Sequence, residues 1–167
     1  IASCALPSTG SYTILAYGYY GTYTGDYSIF LQRLNNAGLP VAITFGQTLS
    51  GSIVTLAEMD SYTFTASAGD KVLVRISEPL NTFRPGIRVY APNGTKLCEA
   101  VSSSSTNEIA SCFLPDNGTY TILAYEFYGI YTFDYQLFLQ RLNNPGSAEA
   151  ISFGQTLSGS ISTLAEM

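Results

Sequence analysis

Histidine is absent from this 167-residue chain, and its absence limits the available chemistry more than any motif does. Without an imidazole there is no side chain that ordinarily titrates near neutral pH, no histidine-based triad and no histidine ligand for a metal. Carboxylates and thiols remain. Glu58 and Asp60 stand two apart, and paired carboxylates are what glycoside hydrolysis requires. The plainer reading is the better one: Asp60 sits just before a strand-like run and reads as a turn or edge residue. Cys4, Cys98 and Cys112 lack a histidine activator, so a structural role suits them better than nucleophilic catalysis. No catalytic residue and no cofactor are expected.

The cysteines become intelligible through a repeat. Ile1-Ala2-Ser3-Cys4 returns as Ile109-Ala110-Ser111-Cys112, and the correspondence runs without a gap to Leu164-Ala165-Glu166-Met167, the echo of Leu56-Ala57-Glu58-Met59. The offset is 108 residues, far beyond the roughly 20 to 50 of a solenoid turn, so the repeating unit is a whole domain. We read residues 1–36 as the C-terminal part of one repeat, 37–144 as a complete repeat with its connector, and 145–167 as the N-terminal part of the next, an excerpt of a longer tandem protein. Cys4 and Cys112 occupy the same position in successive copies, and the partner of Cys4 falls outside the chain. Cys98 and Cys112 flank Glu99 to Ser111, a spacing that suits a disulfide between neighbouring strands joined by the Ser102 to Thr106 loop. Such a bond would contribute about 3 kcal/mol in the chain-entropy model and would imply an oxidising compartment. Two buried free thiols are the competing reading.

The elements that position these residues read as strands. Aromatic residues make up 13% of the chain and charged residues only 11%, with 13 Tyr and 9 Phe, which suits pleated, half-buried surfaces. Ser61–Ala66 and Lys71–Ile76 alternate in type around Ser67-Ala68-Gly69-Asp70, which reads as a turn joining antiparallel partners. Gly86–Tyr90 leads into Ala91-Pro92-Asn93-Gly94, a hairpin turn with a return along Thr95–Val101. Thr119–Tyr125 and Asp134–Leu142 complete the set, and no segment carries a helical period. Many short strands in about 100 residues indicate an all-β fold, a jelly-roll-like antiparallel β-sandwich.

The order Leu49-Ser50-Gly51-Ser52-Ile53, Asp60-Ser61-Tyr62-Thr63-Phe64, Ala68-Gly69-Asp70-Lys71-Val72, Val89-Tyr90-Ala91-Pro92-Asn93-Gly94, Leu114-Pro115 with Gly118–Ile122, and Asp134-Tyr135-Gln136-Leu137 resembles the bacterial pre-peptidase C-terminal domain. The resemblance covers about Thr48 to Leu142. It implies a jelly-roll sandwich carried by secreted enzymes and, in tandem, by surface proteins, acting as an accessory module without catalysis. Some relatives bind calcium, but this chain lacks a dense acidic cluster; Glu58, Asp60, Asp70 and Asp116 are the only candidates, and no metal site is expected.

Tyrosines form the most tempting binding feature. Tyr17, Tyr19, Tyr20, Tyr23 and Tyr27 correspond to Tyr125, Phe127, Tyr128, Tyr131 and Tyr135. Strand alternation assigns them to core or cross-strand packing; a contact between domains or subunits, and stacking on a ligand, are the alternatives. Gly18, Thr22 and Gly25 become Glu126, Ile130 and Phe133, changes expected in loops or on exposed faces, whereas Phe30 and Leu31 are kept as Phe138 and Leu139. The connectors Leu34–Ile43 and Leu142–Ile151 look too short for a floppy tether and would fix successive domains in a restricted orientation. Asn93-Gly94-Thr95 and Asn117-Gly118-Thr119 match the glycosylation acceptor pattern, although a plain turn explains both.

A net charge of −5 without a basic stripe argues against nucleic acid, and no apolar run approaches the roughly 18 residues of a membrane span. The expectation is a non-enzymatic structural repeat of a secreted or surface-attached protein, partnered by neighbouring repeats in a fibre or stalk. The alternative is an accessory module that holds an extracellular polysaccharide or protein for an enzyme or adhesin. Calcium-dependent adhesion is a third reading.

Overall fold

The computed structural model describes residues 4–35, 38–143 and 149–160. The elements are β1 (Val41–Ala42), β2 (Gln47–Ile53), β3 (Met59–Ala66), β4 (Lys71–Ser77), β5 (Pro85–Tyr90), β6 (Lys96–Ala100), β7 (Thr106–Phe113), β8 (Gly118–Glu126) and β9 (Phe133–Arg141). They form two sheets with strand orders β1-β3-β8-β5-β6 and β2-β9-β4-β7. All pairings are antiparallel except β1 with β3. No helix is long and apolar enough to cross a membrane.

Alternation builds the core. On β4, Val72, Val74 and Ile76 point inward and are fully buried, as are Tyr120, Ile122 and Ala124 on β8. On the inner face of the first sheet, Phe64 of β3 stacks on its cross-strand partner Tyr120 of β8 with centroids 5.5 Å apart, and Phe45, from the turn before β2, stands edge-on to Phe64 at 5.9 Å. The outer face of the second sheet has a patch of its own, Leu73 with Phe138.

Three expectations need correction. Ser61–Ala66 and Lys71–Ile76 are not partners: β3 and β4 lie in opposite sheets, and the Ser67–Asp70 turn carries the chain between layers. Turn chemistry fixes reversal of direction but not whether the next strand stays in the sheet, and here the inward residues of both strands, Tyr62 and Phe64 with Val72, Val74 and Ile76, join one core. Asp60 lies within β3 rather than ahead of it. Glu126 and Phe133 are buried, at 4% and 6% exposure, so the divergence between copies is not confined to loops and exposed faces; Ile130 alone of the three is exposed.

Residues 4–35 and 149–160 carry no strand. Even so, local turns form there. Tyr12 Oη donates to the Ser8 carbonyl at 2.5 Å and accepts from its amide, as Tyr120 Oη does with Asp116 at 2.7 Å. The centres of the two connectors, residues 36–37 and 144–148, lie outside the described residues.

Candidate binding surface

Four loops meet at one end of the sandwich: 54–58, 78–84, 101–105 and 127–132. Three of them carry exposed apolar side chains: Val54 and Leu56, then Leu80, then Phe127, Tyr128, Ile130 and Tyr131. Adjacency is direct, because the Ala57 amide donates to the Gly129 carbonyl at 2.9 Å and the Phe127 amide to the Arg84 carbonyl at 3.1 Å. Phe83 ties the third loop in, stacked on Phe133 at 5.8 Å and tilted against Tyr131 at 5.6 Å.

Buried or half-buried carboxylates hold these loops in shape. Glu78 accepts the amides of Leu80, Thr82 and Phe83 at 2.5 to 3.2 Å. Glu58 accepts those of Val54 and Thr55 at 2.7 and 2.8 Å, and Glu126 accepts the Ile130 amide at 3.2 Å. Each replaces water at a backbone donor that the loop would otherwise leave unpaired. Arg84 donates to Tyr128 Oη at 2.5 Å and lies 5.3 Å from that ring, while Phe127 meets Tyr128 edge-on at 4.9 Å. The aromatic side chains are therefore presented on braced loops, which lowers the ordering cost of any contact they make.

The expected tyrosine set divides on inspection. Phe127, Tyr128 and Tyr131 lie on this surface, but Tyr125 does not: it is 3% exposed, on the outer face of the first sheet. Arg88 covers its ring at 4.2 Å, and a Cβ at Gly86 would stand 2.4 Å from its Cζ. A face-outward aromatic is thus buried by its neighbours, an outcome that strand alternation alone does not reveal. Tyr17, Tyr19, Tyr20 and Tyr23 are exposed, with Tyr19 and Tyr20 edge-on to each other at 4.8 Å. Sequence reasoning missed Val54, Leu56 and Leu80, which no spacing joins to the β8–β9 loop.

The acidic candidates separate. Glu58 and Asp60 lie toward the aromatic end, whereas Asp70 and Asp116 lie in the turns of the opposite end. Among the described residues no group of three or more His, Cys, Asp or Glu side chains could hold a metal. Asp60 accepts from Tyr135 Oη at 2.5 Å, and Tyr135 is joined to Tyr62 through their hydroxyls at 2.8 Å. Burial, with the Glu58 charge adding to it, raises the Asp60 pKa against the opposing hydrogen bonds. Gly51 makes this arrangement possible, because a Cβ there would stand 2.4 Å from both Tyr135 Cζ and Tyr62 Oη. Asn93 and Asn117 are exposed in turns, where their Oδ1 atoms accept the amides of Thr95 and Ala68 at 2.9 Å.

Cys98 and Cys112 are bonded, with Cα atoms 6.0 Å apart. Their strands are not hydrogen-bonded neighbours: β6 edges one sheet and β7 the other. The bond closes one open side of the sandwich. Cys4 is exposed and unbonded among the described residues.

One solved structure decides the fold comparison. The pre-peptidase C-terminal domain of collagenase from Bacillus anthracis matches with a TM-score of 0.52 at 16% identity, over 64% of this chain and 99% of that one. The fold is similar to that of a pre-peptidase C-terminal domain. The Aeromonas hydrophila and Salmonella Typhimurium periplasmic inhibitors of g-type lysozyme align with TM-scores of 0.48 and 0.45 at 21% and 19% identity, over 61% and 62% of this chain and 95% and 99% of theirs. No family model and no curated protein matches the chain.

Proposed function

We propose that this chain is a non-catalytic structural module of an extracellular protein, with pre-peptidase C-terminal-like units packed against one another into a fibre or stalk. The observation that carries this reading is the braced aromatic end. Apolar side chains on three cross-linked loops face solvent there, and burying each one fully would contribute on the order of 2 kcal/mol. The disulfide supports an oxidising location, since such bonds persist outside the reducing cytosol. The chain leaves the sandwich at the opposite end, where the Leu142 amide donates to the Lys71 carbonyl. The aromatic end therefore points away from the outgoing connector and toward the side from which the chain enters β1, which runs parallel to β3, so a partner there is either another chain or the preceding unit.

A second reading, an accessory module for a polysaccharide or protein, draws on the Arg84–Tyr128 pair, which sets a guanidinium and a hydroxyl beside aromatic rings. Electron microscopy of the native protein separates the two. Ordered fibres with an axial repeat of one unit are expected; dispersed beads on a string would sink the structural reading and direct attention to glycan and protein ligands.

A further inference from the structure

The edge that receives β1 and β2 has two candidates for the same place. Residues 149–160 read Glu-Ala-Ile-Ser-Phe-Gly-Gln-Thr-Leu-Ser-Gly-Ser and residues 41–52 read Val-Ala-Ile-Thr-Phe-Gly-Gln-Thr-Leu-Ser-Gly-Ser; they differ only at Val41/Glu149 and Thr44/Ser152. Both differences fall on exposed positions of the sandwich. Every side chain of 41–52 that packs into the core therefore has an identical counterpart.

That counterpart segment is exposed among the described residues. Ile43 is 2% exposed, and Phe45 and Leu49 pack against the core, whereas Ile151, Phe153 and Leu157 face solvent. It is also locally prepared. The Gln155 amide donates to the Ser152 carbonyl and the Ser152 amide to Gln155 Oε1, both at 3.0 Å, with Gly154 at φ 81°. This reproduces the turn at Thr44–Gln47, where the corresponding bonds are 3.2 and 3.0 Å and Gly46 has φ 79°. The segment holds the same turn outside a sheet.

The span is within reach. Asn143 is fixed at the end of β9 by bonds to Lys71 and Gly69, and Glu149 would have to stand where Val41 pairs with Tyr62. Sheets about 10 Å apart, strands about 4.8 Å apart and an offset of about four residues along β3, from Ala66 back to Tyr62, put that distance at roughly 15–20 Å, which six extended residues can cover at about 3.3 Å each.

We propose that residues 149–160 displace residues 41–52 from the edges of β3 and β9 within the same chain, so that the first two strands of the sandwich are exchangeable between the segment before it and the segment after it. The exchange conserves the buried contacts and changes mainly the loop that closes them. The resident segment is tied to β3 by five residues, Val54–Glu58, and the incoming one to β9 by thirteen, Leu142–Gly154. Loop-closure entropy then favours the resident segment only about fourfold. Along a tandem array, the exchange would move each unit's boundary from one connection to the other. None of this depends on the aromatic end.

The test uses the whole chain. Gly51→Val drives a side chain into Tyr62 and Tyr135 and disables the resident β2, while Gly159→Val disables the incoming copy. With exchange, Gly51→Val shifts the folded population by only about fourfold, and the double variant by about thirtyfold or more, the ordinary cost of overpacking. Equal losses in the single and double variants would overturn the proposal. A trap gives an independent reading in a Cys4→Ser background. Ser50 pairs with Gln136, and Ser158 corresponds to Ser50, so Gln136→Cys with Ser158→Cys should form a disulfide in the monomer. Its absence where Gln136→Cys with Ser50→Cys closes readily, or its appearance only in covalent dimers, would refute displacement within one chain.

Discussion

At the residue scale, two carboxylates show opposite electrostatics. Glu99 accepts from Arg88 at 2.6 Å, Lys96 at 2.5 Å and Tyr125 at 2.9 Å. Burial pushes its pKa up, but these donors outweigh burial and bring it to about 2. A depressed carboxylate contributes stability above its unfolded pKa and loses it as pH falls through the folded one. Glu99→Gln should therefore cost about 1 kcal/mol at pH 7, modest because the pair is partly solvated. In urea titrations, the difference from the parent should close between pH about 4.5 and about 2. Asp60 has the reverse sign. Its raised pKa makes it a net cost once pH rises past the folded value. Asp60→Asn keeps an acceptor for Tyr135 and removes the desolvated charge, so it should match or exceed the parent in stability at pH 7, with the advantage fading in acid. Neither environment was legible in the sequence, because the partners of Glu99 come from three strands and Tyr135 is far from Asp60 along the chain.

At the element scale, the two open sides of the sandwich are secured differently. The β6/β7 side is clamped by the disulfide. The β1/β2 side depends on a two-residue β1 and on the pairing of β2 with β9. Cys98→Ser with Cys112→Ser should cost about 3 kcal/mol in equilibrium denaturation, the loop-closure value for about 15 residues. The strands themselves were legible: alternation and turn residues located Gly86–Tyr90 and its return on β6, which do pair. Their distribution between sheets was not, since β3 and β4 flank a plain reversing turn and yet belong to different layers.

At the scale of the whole molecule, the proposed packing of units assigns association to the aromatic end. Phe127→Ser with Ile130→Ser should leave thermal unfolding nearly unchanged, because both side chains are about half exposed, while weakening self-association at least tenfold in sedimentation. Equal association by the parent and the variant would remove this surface from the contact. A net charge of −5 opposes association at neutral pH. What the sequence determined by itself was local and periodic: the strand alternation and the turns, several of which form in 4–35 and 149–160 without a sandwich around them. Gly21 donates to Gly18 as Gly129 does to Glu126, and the Tyr12 and Tyr120 corners match. Such features need only neighbouring residues and a permissive φ. Tertiary structure alone decided which strands share a sheet, that Tyr125 is buried on an outward face, that Glu126 and Phe133 turn inward, and that Val54, Leu56 and Leu80 join the aromatic loop. Each depends on contacts between residues far apart in the chain, and their burial is settled only when the two sheets close on one core.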